Sequence, residues 1–553
     1  MNAKDLYTLA EKCFSKRSGF ISLLQEIAEQ FFVERATFTN TPDIGHNFAS
    51  HLVSSYPLIV RRDLGNAMEV FLRPKGKVWF HPGVADEDFS GDNEAKRWLE
   101  WIEGIMRRAM YDRATQFERA TKEGDHDYAT FGQTVLQCEK VLDNQRVGPH
   151  LLYRCWHLRD VAWMDNKFGM VGSVFRRWKP TGRDLMGLFK NVHKSVVQKS
   201  SKDPYCEINS IHMMVESDMY DGEYMGRKMD MPYVSVHYDI DHDHVMEAVG
   251  KWSKEYIIPR WQTVSGSQYS YSPATVAALP DARLLQAITK TLLEAGEKAV
   301  NPPLVVVREA LRSDINVYAG GIISVDAGYD ERTGGVLKPL INDKAQIPLG
   351  NDMLRDSRAM IGEAFFLSKL NLPPGQERRT AYEVSQLVQE NIRNMMPLFS
   401  PTESEYNGGL CEETFEQMFG SMIRMEAKGV RTPLQIPRSL SGADIQFHFE
   451  SPLHDLIEKQ KLGQYLEGRQ VLADSIALDP SLATLPDGKT ALRDVLQAIW
   501  PAKWVNSETK VEELEAIMAQ QQEAQQLLGT MQAAADVGAT GAAAAKDLAA
   551  AQI

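Results

Sequence analysis

The sequence lacks the cysteine pattern of a disulfide framework or a zinc site. Its five cysteines are an odd number, are widely spaced and include no CxxC pair. It also lacks an apolar run long enough to span a membrane, and its N-terminus has neither the apolar core nor the cleavage site of a signal peptide. We therefore expect free, buried thiols in a soluble protein that is made inside the cell and has no membrane span.

A complete nucleotide-binding motif is also missing. Gly488-Lys489-Thr490 matches the end of a P-loop, but the first glycine of that motif is replaced by Ala483, and no GxGxxG occurs. We expect no ATP binding and no cofactor.

Basic charge is scarce, since the 553 residues carry a formal net charge of −13. Proteins that grip nucleic acid usually have a basic excess. The balance excludes tight wrapping of nucleic acid, but it is compatible with a loose channel whose acidic wall repels phosphate. At this length the chain exceeds what one hydrophobic core usually serves, and its 43% hydrophobic content is typical of a folded protein.

The stretch HYDIDHDH at 237–244 is the most metal-like part of the sequence. Imidazole and carboxylate groups suit several divalent ions, and alternate residues of a strand share one face. The weak candidate ligands are His237, Asp239 and Asp241, with His242, Asp243 and His244 beside them. Because no second motif such as HExxH supports a metal site, a solvated loop or a subunit contact is the favoured interpretation, and we predict no metal.

Hydrophobic periodicity predicts an α+β protein. Residues 1–110 have mostly helical spacing, with Leu23, Leu24, Ile27 and Phe31 on one face. Residues 150–265 alternate and are rich in aromatic and β-branched side chains, and 233–240 is predicted as a strand.

The middle of the chain predicts two helices that flank a β-rich insert of roughly 50 residues and can pack antiparallel. Pro280 and Asp281 are expected to open the first helix and Asn301-Pro302-Pro303 to end it. Residues 304–307 are a short β-like run, and the second helix is expected to begin near Asn351. The predicted apolar stripes are Leu284, Leu285, Ile288, Leu292 and Leu293 on the first helix, and Met353, Leu354, Ile361, Ala364 and Phe365 on the second.

A loop at 367–379 contains Pro373-Pro374-Gly375, which cannot continue a helix. A capping box at Thr380 and Glu383 opens the next helix, and 411–428 predicts another amphipathic helix. From 509 the chain is rich in Glu, Gln and Ala with few bulky residues. Its end is therefore expected to be either disordered or stabilised by identical neighbours.

One segment resembles the head-to-tail connector, or portal, proteins of podoviruses. The matching residues in 266–307 are Tyr271, Ser272, Pro273, Ala274, Ala278, Leu279, Pro280, Asp281, Pro302 and Pro303. Ser270-Tyr271-Ser272 departs from the family pattern, which often has Gly or Arg there. Three further stretches are similar to the family in the same order, at 171–181, 378–392 and 447–460.

The resemblance implies a multidomain portal fold of the α+β class. It consists of an α+β wing, a helical-hairpin stem, a small β-rich clip and a C-terminal helical crown or barrel. The implied ranges are 1–279 for the first part of the wing, 280–300 and 349–366 for the stem helices, 301–348 for the clip, 367–379 for the tunnel loop, 380–450 for the second part of the wing and 451–553 for the crown or barrel.

The resemblance further implies a homo-oligomeric ring, expected to be a dodecamer, at one capsid vertex of the virion. Double-stranded DNA would pass through the channel, and the partners would be terminase, major capsid and scaffolding proteins, and tail adaptor or nozzle proteins. Before assembly the subunit would be in the host cytoplasm. The implied tunnel-loop contacts to DNA are Lys369, Asn371, Arg378 and Arg379, and the implied clip contacts to partners are Arg308, Arg312, Tyr318, Tyr329 and Arg332.

Two other functions stay open at this point. A metal-dependent hydrolase could use residues 237–244, and it would carry bound metal in a monomer or dimer. Another phage assembly component, such as a tail adaptor, is disfavoured by the length of the chain.

Overall fold

The computed structural model describes residues 1–41, 45, 49–76, 78–84, 93–142, 149–300, 304–306, 337–339, 347–367, 402–428, 432–437, 440, 445–449, 511 and 517–518. The chain divides into two compact units. Unit 1 comprises residues 1–82, 102–435 and 447–452, and unit 2 comprises residues 83–101, 436–446 and 453–553. Nearly all of the described residues belong to unit 1, which mixes helices and sheets.

The helices of the described residues lie mainly at the start and in the middle of the chain. They are α1 Ala3–Lys16, α2 Ser18–Phe31, α3 Tyr56–Leu72, α4 Asn93–Met110, α5 Phe117–Phe131, α6 Gly182–Leu188, α7 Lys194–Lys202, α8 Pro273–Val300, α9 Ile347–Ala364, α10 Gly408–Phe415 and α11 Ser421–Ala427. Two π-helical turns, Glu403–Asn407 and Glu416–Gly420, flank α10.

The strands are concentrated between residues 135 and 271. They are β1 Phe80–Val84, β2 Val135–Leu142, β3 Pro149–Trp156, β4 Val161–Asp165, β5 Val171–Trp178, β6 Ser210–Glu216, β7 Tyr233–Asp239, β8 His244–Lys251, β9 Tyr256–Ile257, β10 Gln262–Thr263, β11 Ser270–Tyr271, β12 Leu304–Val306, β13 Leu337–Pro339 and β14 Ile445–Phe449. The largest sheet is five-stranded and antiparallel, in the order β4-β5-β6-β7-β8.

One face of this sheet is covered by α1. A capping box fixes the start of α1, because the Asn2 side chain accepts a bond from the Asp5 amide while the Asp5 carboxylate accepts from the Asn2 amide. The buried apolar residues of α1 and of the sheet then form one core. Its members include Leu6, Ala10, Phe175, Ile211, Met213, Val215, Val234, Val236 and Tyr238.

The opposite face is covered by α6 and α7. Leu185, Phe189 and Val196 form a second buried cluster with Ile208 and Met246. The five-stranded sheet is therefore the middle layer of a three-layer arrangement, which we call the sheet domain: β4–β8 with α1 on one face and α6–α7 on the other.

Helix α5 is the most buried helix of unit 1, and its end is fixed by a glycine. Gly132 adopts a left-handed conformation (φ 73°) at the C-cap of α5. A Cβ there would lie 2.0 Å from the carbonyl carbon of Tyr271, so no side chain fits without moving backbone. The Ser270 hydroxyl and the Trp261 amide both donate to the Gly132 carbonyl, at 2.6 and 2.8 Å. Glycine is thus required where three distant segments meet.

A buried ion pair joins the segment after residue 401 to the earlier helices. Arg73, just after α3, pairs with Asp125 of α5, and both side chains are fully buried. The same guanidinium donates to the Asn407 side-chain oxygen at 2.8 Å and stacks over the Tyr406 ring at 4.6 Å. The π-helical turn at Glu403–Asn407 presents these two residues to Arg73.

Several local predictions are confirmed. The described parts of 1–110 are mainly helical, and Leu24, Ile27 and Phe31 are buried. Residues 150–265 mix strands with two helices, and the strand predicted at 233–240 is β7. The β-like run contains β12. The helix predicted at 411–428 is present, although a π-helical turn at Glu416–Gly420 interrupts its α-helical hydrogen bonding.

The predicted start of the first middle helix was wrong. Helix α8 begins at Pro273, and Pro280 lies inside it. Proline in a helix removes one amide donor, here the partner of the Val276 carbonyl. Because Val276 is exposed, water can solvate that carbonyl. The start is fixed instead by bonds to α5, since the Ser272 and Thr275 hydroxyls donate to the Ala129 and Thr130 carbonyls at 2.7 and 2.8 Å.

The start of the second middle helix was also misplaced, because α9 begins at Ile347 and Asn351 is an exposed residue of its interior. Pro348 suits the first turn, which explains the earlier start. Three residues of the predicted apolar stripes are exposed, namely Leu284 and Leu293 on α8 and Met353 on α9. Leu285, Ile361 and Phe365 are buried as predicted.

Candidate functional site

The two middle helices pack against each other. Leu292, near the end of α8, lies against Gly350, near the start of α9, and a Cβ on Gly350 would be 2.5 Å from the Leu292 Cδ2 atom. The close approach of these positions shows that the two helices run antiparallel. Glycine at position 350 allows this approach because it has no side chain.

The first half of α8 and the end of α9 are held by α2 and by the segment before α3. Phe365, just after α9, packs on Phe31 of α2 with ring centroids 5.3 Å apart. The Gln286 side chain of α8 accepts bonds from the Val53 and Ser54 amides at 2.9 and 2.8 Å, and it donates to the Ser54 carbonyl at 2.9 Å. Arg283 of α8 pairs with Glu26 of α2.

The far ends of the pair lead into paired strands. β12 follows α8, β13 precedes α9, and the two strands are antiparallel with Val305 opposite Lys338. The described residues of this part of the chain therefore run helix, strand, strand, helix.

The residues predicted to contact DNA and partners are not located by this structure. Lys369, Asn371, Arg378 and Arg379 lie outside the described residues, as do Arg308, Arg312, Tyr318, Tyr329 and Arg332. The helix predicted from the capping box at Thr380 and nearly all of 451–553 also lie outside them.

The metal-like stretch forms the turn between β7 and β8. The strand ends at Asp239, so Asp241 and Asp243 do not share a strand face with His237 as expected. Asp239 is buried and accepts bonds from the Asp241 amide at 3.0 Å and from the His242 ring at 2.7 Å. Its carboxylate therefore closes the turn.

The other two aspartates of the turn also bond to groups of the protein. Asp241 accepts from the Asn209 amide and side chain at 3.1 and 3.0 Å, and Asp243 pairs with Lys4 at 2.6 Å. In the part of the chain that the structure describes, no group of three or more His, Cys, Asp or Glu side chains is arranged to hold a metal ion.

A row of polar residues, buried at Arg176 and His212 and half-buried at His237, crosses the sheet domain beside this turn. The strand registers place Arg176 of β5 opposite His212 of β6, and His212 opposite His237 of β7. The two imidazoles stack with centroids 4.2 Å apart. The sequence predicted a solvated loop or a subunit contact at His237, with a metal ligand as the weaker alternative, and the row was missed. The alternation in SVFRRW and SIHMM was the available signal, since it places Arg176 and His212 within buried strands.

Hydrogen bonds fix the protonation of His212. Arg176 Nε donates to the Tyr256 hydroxyl at 3.0 Å, so that hydroxyl donates in turn to His212 Nδ1 at 2.7 Å. His212 Nε2 then donates to Ser235 Oγ at 2.8 Å. With Nδ1 accepting and Nε2 donating, His212 is neutral in the folded protein. Burial, together with the charge of Arg176, lowers the pKa of His237 to about 3 and lowers that of His212 well below its usual value.

The row makes the folded state sensitive to acid. A histidine in the unfolded chain binds a proton below about pH 6.5, whereas the pKa of His237 in the folded protein is about 3. Acid therefore favours the unfolded state. The contribution of His237 to the free energy of unfolding is complete above pH 6.5 and declines as the pH falls toward 3. We expect His237 alone to account for about 2 kcal/mol of lost unfolding free energy between pH 7 and pH 5. Urea denaturation of the wild type and of His237→Phe across this range measures the difference.

His51→Phe is the matched control, because His51 is exposed and its removal should leave the pH dependence unchanged. An equal pH slope in wild type and His237→Phe would contradict the buried neutral state of His237.

Asp239 is expected to act as the closure of its turn and not as a metal ligand. Asp239→Ala should lower the free energy of unfolding by about 1–3 kcal/mol, because three partly buried donors of Asp241 and His242 lose their acceptor. Addition of EDTA to the wild type should leave the thermal midpoint unchanged. A chelator-dependent midpoint, or stoichiometric metal in elemental analysis of protein purified without chelator, would refute this assignment.

Within the described residues, no helix has the length and apolar character needed to cross a membrane.

Comparison with known sequences gives matches over most of the chain. A family model described as bacteriophage head to tail connecting protein matches residues 3–498. A protein named probable portal protein of Bordetella phage BPP-1 is 29% identical over 468 residues, which cover 79% of this chain and 77% of that protein. The portal protein of Salmonella phage epsilon15 is 21% identical over 374 residues, which cover 65% of this chain and 64% of that protein.

Two solved structures are similar at 10% sequence identity. One is a chain in the virion of a native gene transfer agent particle, with a TM-score of 0.33 over 82% of this chain and 95% of that chain. The other is a chain in the neck of an empty gene transfer agent particle computed with C6 symmetry, with a TM-score of 0.35 over 77% of this chain and 90% of that chain.

Proposed function

This chain belongs to the bacteriophage head-to-tail connecting protein family and is a phage portal subunit, and we propose that identical copies of it form a ring at one capsid vertex through which double-stranded DNA enters and leaves. The observation that carries the proposal is the family match over residues 3–498. The ring is expected to be a dodecamer with a structural role and no catalysis. In the virion it would contact the major capsid protein, after assembly with scaffolding protein.

The antiparallel pair of α8 and α9 supports the proposed stem. The pair is anchored at one end in unit 1 and leads at the other end into β12 and β13, which suits a hairpin that carries an insert away from the body. We assign the stem to 273–300 and 347–364, which follows the observed helices, and the clip to the residues between them. The wing would comprise the residues before α8 and 380–450, and 451–553 would be the crown or barrel.

The clip is the proposed docking surface for terminase during packaging and then for tail adaptor or nozzle proteins. Arginine and tyrosine are common anchors of protein interfaces, and the clip carries Arg308, Arg312, Tyr318, Tyr329 and Arg332. One ring face would then serve two partners in succession. Terminase would supply the ATP-driven motor, since this sequence has no complete nucleotide-binding motif.

The metal-dependent hydrolase has no support. The aspartates of the β7–β8 turn bond to groups within the turn, to Asn209 and to Lys4, and His237 stacks on His212 inside the sheet domain. The matched family and the named relatives are connecting and portal proteins.

The ring is tested by the mass and shape of the purified protein. Cyclic symmetry is how identical subunits enclose a channel, so light scattering should give a mass of about 750 kDa, twelve times the 62.3 kDa subunit. Negative-stain images should show a central hole. A protein that remains a monomer or dimer, alone and in the presence of scaffolding protein, would contradict the proposal.

Loop 367–379 is proposed to touch DNA through a few cationic side chains. On an acidic ring, such charges give weak contacts that salt screens, and weak contacts permit sliding. Replacing Lys369, Arg378 and Arg379 by glutamine should leave the ring intact and reduce packaged or retained DNA at least about tenfold, measured as DNA-filled particles and plaque yield.

The matched control replaces three exposed cations elsewhere, Arg62, Arg113 and Lys122, by glutamine. It removes the same net charge and should leave the yield of filled particles unchanged. Normal yield from the loop variant, or an equal loss from the control, would refute a specific role of the loop.

A further inference from the structure

A widened turn separates α10 from α11. The backbone bonds of the π-helical turn Glu416–Gly420 run to the fifth residue along instead of the fourth, which is rare and is found mostly at functional sites. Such turns are also positions where a helix can bend. Gly420 suits this turn, because a Cβ there would lie 2.2 Å from Glu416 Oε1. The turn is therefore a candidate hinge between two helical segments.

The two sides of this turn are held differently. On the α10 side, Leu410, Cys411 and Thr414 are fully buried, and the Thr414 hydroxyl lies 2.7 Å from the Tyr153 hydroxyl of β3. On the α11 side, residues 421–426 are exposed or half-buried. Because α10 is anchored in the core and α11 lies at the surface, a movement about the turn would carry α11.

The loop between β8 and β9, at 252–255, holds α11 in place. Arg424 of α11 stacks over the Trp252 ring at 4.2 Å. Gln417 of the π-helical turn donates to Ser253 Oγ at 3.2 Å. The loop thus contacts both the turn and the helix that follows it.

The loop is the rigid side of this contact. Glu255 is held in a left-handed conformation (φ 60°), which is costly for a residue other than glycine and persists only where the surroundings enforce it. The Glu255 carbonyl accepts a bond from the Cys138 amide of β2 at 2.9 Å, and its buried carboxylate pairs with Lys251 at 2.5 Å. The loop is therefore fixed to β2 and to the end of β8.

A buried carboxylate completes the contact. Glu413, in the last turn of α10, accepts bonds from the Ser253 hydroxyl at 2.5 Å and from the Gln417 side chain at 2.8 Å. Both donors are neutral, and among the residues that the structure describes no Lys, Arg or His pairs with Glu413. We call Trp252, Ser253, Glu413, Gln417 and Arg424 the latch.

The cations of this region are bonded to other groups. They are Lys251 on Glu255, Lys254 on the Val171 carbonyl and Arg424 on Glu416. A charged carboxylate that is buried without a counter-charge is costly. The latch therefore holds Glu413 best when it carries a proton.

The electrostatic surroundings act in the same direction. Burial, with a smaller contribution from the carboxylates of Glu255 and Glu416, raises the pKa of Glu413 to about 7 against the opposing effect of its two hydrogen bonds. The other titratable groups that face it are Lys254 of the loop, Cys138 of β2 and Tyr233 of β7. Burial raises the pKa of the thiol and of the phenol, so both stay neutral below pH 8.

The direction of the pH effect follows from the burial of Glu413. A glutamate in water loses its proton near pH 4.5, whereas the pKa of Glu413 in the latch is about 7. Opening of the latch that brings Glu413 into water is therefore least favoured below pH 4.5. It becomes more favoured as the pH rises to 7, and it changes little above that.

We propose that the π-helical turn Glu416–Gly420 is a hinge, and that α11 stays on the β8–β9 loop while Glu413 is protonated and leaves the loop when Glu413 loses its proton. α10 remains in the core throughout, so Arg73 and its partners are not disturbed. The switch changes the position of α11 without opening the core.

Hydrogen exchange of the full-length protein, followed by mass spectrometry, tests the hinge and the latch. Glu413→Gln keeps the shape and an acceptor oxygen of the side chain, but it cannot ionise. At each pH, the exchange rate of residues 416–427 in the wild type is divided by the rate in Glu413→Gln, which cancels the pH dependence of the exchange chemistry. This ratio should rise about 10–40-fold between pH 5 and pH 7, and less than about twofold between pH 7 and pH 8.

Two controls locate the effect. Residues 408–415 of α10 should give a ratio that does not change with pH, because α10 stays anchored. Glu412→Gln alters the neighbouring, exposed carboxylate and should behave as the wild type does. A ratio for 416–427 that is flat with pH, an equal rise in 408–415, or the same result with Glu412→Gln as with Glu413→Gln would each overturn the proposal.

Ser253→Ala tests the latch from the side of the loop and does not depend on the folding of Glu413→Gln. The variant removes one donor to Glu413, so exchange of residues 416–427 at pH 5 should become about fivefold faster than in the wild type, while 408–415 keeps its rate. An unchanged rate in 416–427 would show that the loop does not hold α11, and the proposal would fall.

Discussion

The body of unit 1 depends on one buried cation. Arg73 is enclosed by Asp125, Asn407 and the ring of Tyr406, which come from α5 and from a segment more than 280 residues further along the chain than α5. Breaking a buried pair by removing one partner typically costs about 3–5 kcal/mol, because the remaining charge has no compensation. Since the helix pair α8–α9 lies between α5 and the Tyr406 segment in sequence, the chain leaves the body through α8 and returns to the same buried arginine.

The return of the chain to Arg73 after α9 also bears on the helix pair α8–α9. The first half of α8 and the end of α9 are fixed by α2, by residues 53–54 and by α5. The strands β12 and β13 therefore follow two helices whose opposite ends are held together. A hairpin anchored in this way can transmit force along its length without unfolding its base. This property suits the stem of the proposed ring.

Much of this arrangement could be predicted from the sequence, because it follows from periodicity. The N-terminal helices, the strand at β7 and the two middle helices are long or regular enough for their apolar spacing to identify them. The helix starts were misplaced because Pro280 is a good first-turn residue, yet the bonds of Ser272 and Thr275 to α5 extend α8 before it. The row of Arg176, His212 and His237 could not be predicted, since strand register brings together residues distant in sequence. The sequence suggested metal chemistry at the β7–β8 turn because aspartate and histidine are common metal ligands. The same side chains also close turns and stack on one another, and the sequence does not distinguish these roles.

The position of Tyr406 and Asn407 also sets when a newly made chain can fold. The ribosome must synthesise roughly three quarters of the 553 residues before Tyr406 and Asn407, two of the three partners of Arg73, exist. Until then α3 and α5 lack part of their core, and the contacts that fix Gly132 have to wait for residues 261–272. A nascent subunit therefore cannot complete the surroundings of Arg73 until residues 406 and 407 have left the ribosome. A chain truncated before residue 406 would keep the pair of Arg73 and Asp125 but would lack the Tyr406 and Asn407 contacts that complete its enclosure.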